Sequence, residues 1–318
     1  MFNVPRETLN IKTKYFVIPK FILSIVEVKA GIYFQMNKAS LYLKVKDHSV
    51  SGEEFQLLYN NELDLLETFP QPTSEQLPEY YKSVDYISHT DTKRNLFERG
   101  YHIVRKIALK RKLKLINSYA AEGKNLLDIG CGTGDFLGAA KLNNWKVSGI
   151  EPNETARIIA NKKIDNTVFE TEQLLKFNNH SFDVITLWHV LEHLPKLEEH
   201  ISTFKRLLKP NGVLIIAVPN YKSYDATYYK NFWAAYDVPR HLWHFSKRSI
   251  GHLFSKVNMK VVKTHPMVFD AYYVSLLSEK YKSSKMNVFR AFRIGRRSNI
   301  KAKRSGEYSS IIYVLENS

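Results

Sequence analysis

Asn125 to Asn153 reads NLLDIGCGTGDFLGAAKLNNWKVSGIEPN. An apolar run, Leu126 to Ile129, is broken by Gly130, Gly132 and Gly134. A helical segment follows, and then a second short apolar run, Val147 to Ile150, that ends in the acid Glu151. This order predicts a strand, a glycine turn, a helix and a second strand, a unit that grips an adenosine-bearing cofactor. Glycines let the backbone approach a ligand and take dihedrals that a Cβ forbids. A carboxylate at the tip of the second strand can accept both ribose hydroxyls. The spacing departs from the dinucleotide fingerprint, because the acid Asp128 stands before the first glycine. That acid repels a pyrophosphate and attracts an ammonium group.

With these residues in view, LLDIGCGTGDFL resembles the first motif of the class I S-adenosylmethionine-dependent methyltransferases. The resemblance continues through GIEPN, FDVITLWHVLEHLP at Phe182 to Pro195, and LKPNGVLIIAVPN at Leu208 to Asn220. It covers roughly residues 90 to 265 with four motifs in the family's order. The fold it implies is α/β. A Rossmann-like seven-stranded, mostly parallel sheet has an antiparallel last strand and helices on both faces. The cofactor it implies is S-adenosyl-L-methionine, with S-adenosyl-L-homocysteine as product. The turn Gly130, Cys131, Gly132 and Gly134 would line it. Asp128 would lie near the methionine ammonium, and Glu151 would hold the ribose. Pro152 and Asn153 would lie beside the adenine. Where many relatives place an acid for the adenine amino group, this chain has Thr171 next to Glu172. Trp188 and His189 would floor the site near the transferring methyl.

The acceptor side is read from two segments. His189, Glu192 and His193 follow a strand end, where ligands meet an open parallel sheet. The aromatic stretch YKNFWAAYDVPRHLWHFS adds Asp237, Arg240, His241 and His244. Histidine is the usual base near neutral pH, so His241 is the expected catalytic base, with His189 next. A metal site drawn from His189, Glu192 and His193 with a distant His241 or His244 is the weaker reading beside His193 packing under a helix start, so no metal ligand is expected.

Ahead of the core, Leu41, Leu43 and Val45 alternate as in a strand, and Phe55 to Tyr59 reads as another. Met36 to Pro72 resembles a small zinc-ribbon module found ahead of some bacterial methyltransferases. Its cysteines are missing; the second pair would fall near Asn60 and Leu63. The expected organisation is an extension over 1–35, a small β-hairpin module with linker over 36–90, and the main domain over 91–318 with insertions at 221–245 and 283–306. A long basic helix is expected from Thr92 to Ser118, capped by Thr90 or Asp91. Residues 221–245 should fold over the mouth of the pocket, with 80–89 approaching from the other side. Residues 283–306 carry no regular pattern and read as a solvated loop.

The chain has 318 residues, a formal net charge of +16 and a single cysteine, Cys131. One cysteine excludes an internal disulfide and fits a reducing compartment. The longest apolar stretch, Tyr15 to Phe34, is interrupted by Lys20, Glu27 and Lys29. No membrane span is therefore expected, and a cytoplasmic enzyme is the reading. The basic excess is confined to two segments. Residues 93–114 hold nine Lys or Arg and one acid, and residues 279–307 hold ten against two. Such patches attract polyanions. The expected partner is a small-molecule, sugar or lipid-linked acceptor, with an anionic membrane surface as a further partner. A nucleic-acid methyltransferase is the alternative enzyme reading, and a non-catalytic cofactor-binding subunit the alternative of another class.

Overall fold

The computed structural model describes residues 39–73, 75–81, 96–119 and 124–318, with the side chains of residue 39 and of 96–103 left aside. The expectations for residues 1–35, for the helix cap at Thr90 or Asp91 and for residues 82–89 lie outside the described residues. Leu41–Ser318 forms one compact unit.

Three short strands come first: β1 (Ala39–Lys46), β2 (Glu54–Asn60) and β3 (Leu65–Phe69). The turn between β2 and β3 stands where the ribbon resemblance would put a metal pair. Here the Asn60 side chain accepts from the Leu63 N–H at 3.1 Å. The buried Asp64 carboxylate accepts from the hydroxyls of Tyr59, Tyr221 and Ser246 and pairs with Lys222. Polar side chains hold this hairpin.

Helix α1 (Leu96–Asn117) leads into the core. There β4 (Asn125–Ile129), α2 (Asp135–Lys141), β5 (Lys146–Ile150), α3 (Glu154–Asn161), β6 (Val168–Phe169), α4 (Gln173–Lys176), β7 (Phe182–Trp188), α5 (Leu197–Leu207) and β8 (Leu208–Pro219) alternate. The rest of the chain supplies α6 (Tyr224–Tyr229), β9 (Trp243–His244), α7 (Lys247–Ser255), β10 (Met259–Pro266), α8 (Asp270–Ser283), α9 (Val288–Ser305) and β11 (Ser310–Asn317). The large sheet has the order β10-β11-β8-β7-β4-β5-β6. Strands β4 to β8 pair in parallel, and β11 runs antiparallel to both β8 and β10. This is the predicted α/β class with its antiparallel last strand.

Both faces of the parallel strands are covered, so their side chains alternate between two apolar layers. Leu127, Ile129, Ile185 and Leu187 join α5 and α7 in one layer. Leu126, Val184 and Ile215 meet Ile116 of α1 and Phe136 and Leu137 of α2 in the other. A third cluster joins Val45, Phe55 and Leu57 to Tyr229, Trp233 and Tyr236, and to Val274 and Ile294 of α8 and α9. The insertion also completes the small sheet: β9 pairs with β3 through Leu66–His244 and Glu67–Trp243.

The loop expected at 283–306 is instead the helix α9. Asn287 caps it by accepting from the Arg290 N–H at 2.9 Å, and Gly306 ends it in the left-handed conformation. Its buried residues, Ala291, Ile294, Gly295, Ser298 and Ala302, recur at helical spacing. Most are small, so the period is nearly silent on a hydrophobicity reading. Gly295 permits the close contact with α8; a Cβ there would lie 2.9 Å from the Ala271 carbonyl oxygen and 2.9 Å from Tyr272 Cα. Gly295→Val should therefore lower stability by about 1–3 kcal/mol through overpacking, read by urea denaturation. An unchanged midpoint would show that α8 and α9 do not pack this closely.

Candidate active site

Strands β4, β5 and β7 end on one line. Ile129 pairs with Ile150 on one side and with Leu187 on the other. Gly130, Glu151 and Trp188 therefore leave the sheet at the same edge. Gly130, Gly132 and Gly134 all have positive φ, 68°, 56° and 77°. A Cβ at Gly130 would lie 2.5 Å from Val190 Cγ2, and one at Gly134 would lie 2.8 Å from Ala160 Cβ. Packing alone demands glycine at those two positions. A Cβ at Gly132 would meet nothing within 4 Å, so this residue borders open space. The turn is tied down by the Gly130 and Cys131 N–H groups, which donate to the Ile150 carbonyl. Glu151, 8% exposed, accepts from the Gly132 N–H at 2.8 Å and the Asn153 N–H at 2.9 Å. Its oxygens keep lone pairs for hydroxyl donors.

Asp128 lies one residue inside the strand end, on the layer that α1 and α2 cover. Its register partner Thr186 donates to its carboxylate at 2.6 Å. Burial pushes the Asp128 carboxyl up to about 7, against the opposing pull of Thr186 and Lys112. Lys112 reaches in from α1, its amine 4.4 Å from the centre of the Trp188 ring, and burial lowers its pKa. The Trp188 indole N–H is buried, and nothing among the described residues accepts from it. Cys131 is buried, and burial raises its thiol, so it packs and does not attack. Pro152 and Asn153 are exposed beside Glu151, and Asn153 caps α3 by accepting from the Ala156 N–H. Thr171 and Glu172 are exposed just beyond β6, at the start of α4.

On the acceptor side, His189 stands between two carboxylates. Its Nδ1 is 3.3 Å from Glu192 Oε1, and its Nε2 is 3.1 Å from Asp270 Oδ2. Burial alone would lower its pKa; Asp270 and Glu192 reverse this and raise it to about 10. The two carboxylates favour the protonated ring, a form that holds positive charge and does not accept a proton, in contrast to the second base that the sequence suggests. His241 is 8% exposed, and its Nδ1 lies 2.9 Å from the Ala235 carbonyl oxygen. Its ring meets His193 edge to face at 4.5 Å. The His193 Nδ1 faces the Arg240 carbonyl at 3.0 Å and the Tyr81 hydroxyl at 3.1 Å. Burial, helped by His241, lowers the His193 pKa to about 4.

The remaining polar candidates hold the frame. The Arg240 guanidinium is 4% exposed and pairs with Asp47 at 2.9 Å and Asp237 at 2.7 Å. It also donates to the Tyr80 carbonyl at 3.0 Å. His244 Nε2 bonds the Thr68 hydroxyl at 3.0 Å, and burial holds its pKa well below the usual histidine value. Sequence reasoning missed Lys112, Thr186, Asp270 and Asp47. Lys112 is one helical turn before the buried Ile116, a spacing that places it on the inward side of α1. The other three owe their place to tertiary pairing, for which the linear sequence has no signal.

The methyltransferase-domain family profile matches residues 101–264, just over half of the chain, and the chain belongs to that family. The chain is 32% identical over 111 residues to the ubiquinone biosynthesis O-methyltransferase of Vibrio atlanticus, covering 32% of this chain and 47% of that one. The Nitrosococcus oceani protein of the same name is 33% identical over 117 residues, covering 34% and 50%. The match thus spans about half the length of these curated relatives. Among solved structures, geranyl diphosphate C-methyltransferase from Streptomyces coelicolor superposes with a TM-score of 0.52 at 14% identity, over 78% of this chain and 100% of that one. Magnesium protoporphyrin IX methyltransferase from Synechocystis, solved with bound S-adenosylhomocysteine, gives 0.52 at 14%, over 77% and 100%. These two share the fold.

Burial would raise the Asp47 pKa, but the Arg240 guanidinium and the turn N–H groups outweigh it and hold it at about 2. A carboxyl depressed in the folded state stabilises above its unfolded value and loses that contribution as pH falls through the folded one. Stability should therefore decline from about pH 4 towards pH 2. Asp47→Ala should cost about 1–3 kcal/mol at neutral pH, because the buried guanidinium loses one of its two carboxylates and keeps Asp237. Denaturation of the variant with the wild-type midpoint would show that the pair carries no weight.

Proposed function

We propose that this chain, as a member of the methyltransferase-domain family, transfers the methyl group of S-adenosylmethionine to oxygen or carbon of a small-molecule, sugar or lipid-linked acceptor. The observation that carries this reading is the open space at Gly132, bordered by the fixed Glu151 carboxylate and underlain by Asp128. Bound there, the cofactor supplies a methyl group already activated by its sulfonium. Glu151 receives the ribose hydroxyls, with Pro152 and Asn153 beside the base and Thr171 and Glu172 further along the strand ends. Asp128 faces the ammonium, Lys112 is placed for the carboxylate, and the unpartnered Trp188 N–H donates to the ligand. Alignment of acceptor and methyl, with water excluded, is the main source of rate. His189 presents positive charge towards the acceptor, and His241 presents its bare Nε2.

The test is methyl transfer from labelled cofactor to metabolites of a cell extract, with and without nuclease. Incorporation into small molecules that survives nuclease supports the reading, and incorporation that nuclease abolishes would move the acceptor to nucleic acid. Glu151→Ala should weaken cofactor binding by about 1–3 kcal/mol, since the ribose donors lose their acceptor. His241→Ala should reduce turnover at nearly unchanged cofactor affinity.

Asp128 adds a pH signature. Its carboxyl is raised to about 7 in the free protein, and a cationic ammonium favours the ionised form. Binding below that pH must then release a proton, so affinity should rise with pH by up to about tenfold per unit between roughly pH 5.5 and 7. Calorimetry should find this slope in wild type and lose it in Asp128→Asn. A flat wild-type profile would remove Asp128 from the ammonium site.

The protein also suits an anionic membrane surface. Among the described residues no helix is long and apolar enough to cross a membrane. Helix α9, however, exposes Phe289 at 92% and Phe292 at 60% beside the exposed Arg290, Arg293, Arg296 and Arg297. Apolar residues set among cations are the pattern of a helix that lies in the interface. Co-sedimentation with anionic vesicles, reduced by salt and by Phe289→Ser with Phe292→Ser, is the expected result. Equal recovery with neutral vesicles would refute it.

A further inference from the structure

We infer that Glu192, His193 and His241 form a binding site for a divalent transition-metal ion on the acceptor side of the cleft. One ligand atom from each lies within 4.8 Å of the other two. Glu192 is 1% exposed, and neither carboxylate oxygen has a hydrogen-bond partner among the described residues. The ion pair with His189 offsets part of the cost of burying this carboxylate and leaves Oε2 without a partner. Its nearest cation, His189, reaches Oε1 only at 3.3 Å.

The two imidazoles are set up as ligands. A carbonyl oxygen can only accept, so the proton of His241 sits on Nδ1, facing Ala235, and that of His193 sits on Nδ1, facing Arg240. Each ring then offers a bare Nε2. A backbone carbonyl on the far nitrogen is the usual support for a metal-bound histidine. The neighbouring histidines are excluded: His244 spends Nε2 on Thr68, and His189 has a carboxylate at each nitrogen.

The ligands come from two segments that are joined independently of any ion. Glu192 and His193 lie on the short 3-10 turn beyond β7, and His241 lies in the insertion before β9. The Leu242 N–H donates to the Glu192 carbonyl at 2.8 Å, and Arg240, whose carbonyl holds His193, is locked by Asp47 and Asp237. Two imidazoles and one carboxylate suit zinc, cobalt or a similar late first-row ion better than magnesium or calcium, which prefer oxygen ligands. Three protein ligands leave a coordination position open. An acceptor hydroxyl can take that position, and His241 would then act through the ion and not as a free base. The sequence reading assigns no metal ligand, and the inference departs from it on the geometry of these three residues.

The test is titration of untagged, chelator-treated full-length protein with Co2+. One equivalent should bind with the visible d–d bands of a low-coordinate centre, be displaced by Zn2+, and resist excess Mg2+. Glu192→Gln, His193→Gln and His241→Gln should each weaken binding by at least the roughly 10–100-fold expected for loss of even an outer support. His200→Gln, at a partly exposed position on α5, should not. Circular dichroism establishes which variants fold, and any folded one suffices. Substoichiometric binding to wild type, or wild-type affinity in a folded ligand variant, would overturn the site. Cofactor binding, measured separately, does not enter either result, so this inference and the methyl-transfer reading can fail independently.

Discussion

The strand order reverses at β4, and the rest of the structure depends on that reversal. From β4 the chain builds outward through β5 and β6, then returns to lay β7 on the other side of β4. The loops beyond β4 and β7 therefore diverge, which opens a crevice at the carboxyl ends of the strands. Gly130 and Glu151 follow the ends of β4 and β5 on one side of that point, and Trp188 and His189 stand at the end of β7 on the other. Glycine is required at Gly130 and Gly134 because Val190 and Ala160 press against them. The packing that seals the turn leaves room at Gly132.

A second constraint governs the acceptor side. The small sheet β1-β2-β3 is completed by β9 from the insertion, and Arg240, held by Asp237 within the insertion, pins the two together through Asp47. Buried ion pairs of this kind add little net stability against an apolar alternative, but they are expensive to break and they define one arrangement. The arrangement they define orients the carbonyls of Ala235 and Arg240, and through them the His241 and His193 rings. The N-terminal strands thus act on the site through Asp47 and Arg240, a chain of hydrogen bonds that ends at the His193 ring.

The cofactor side was legible because its determinants are local. A strand, a glycine turn and a terminal acid follow one another within Asn125–Asn153, and their spacing alone implies the geometry. The acceptor side was legible only in composition. His241 and Glu192 were visible as chemistry-bearing residues, but their meeting depends on β9 pairing with β3 and on Arg240 finding Asp47, which lies 193 residues away. Asp270, which with Glu192 flanks His189 and favours its protonated form, comes from α8 and had no motif to mark it. Helix α9 was missed for another reason: its inward face is built of alanine, glycine and serine, whose period carries little hydrophobic contrast.

The central claim is that an adenosine-bearing sulfonium cofactor binds at the ends of β4, β5 and β7. A crystal structure with S-adenosylhomocysteine tests it most directly. The ribose hydroxyls should lie on Glu151, the adenosine over Gly132 and the amino group towards Asp128. Density for the ligand elsewhere, or a Glu151 carboxylate that makes no contact with it, would contradict the account.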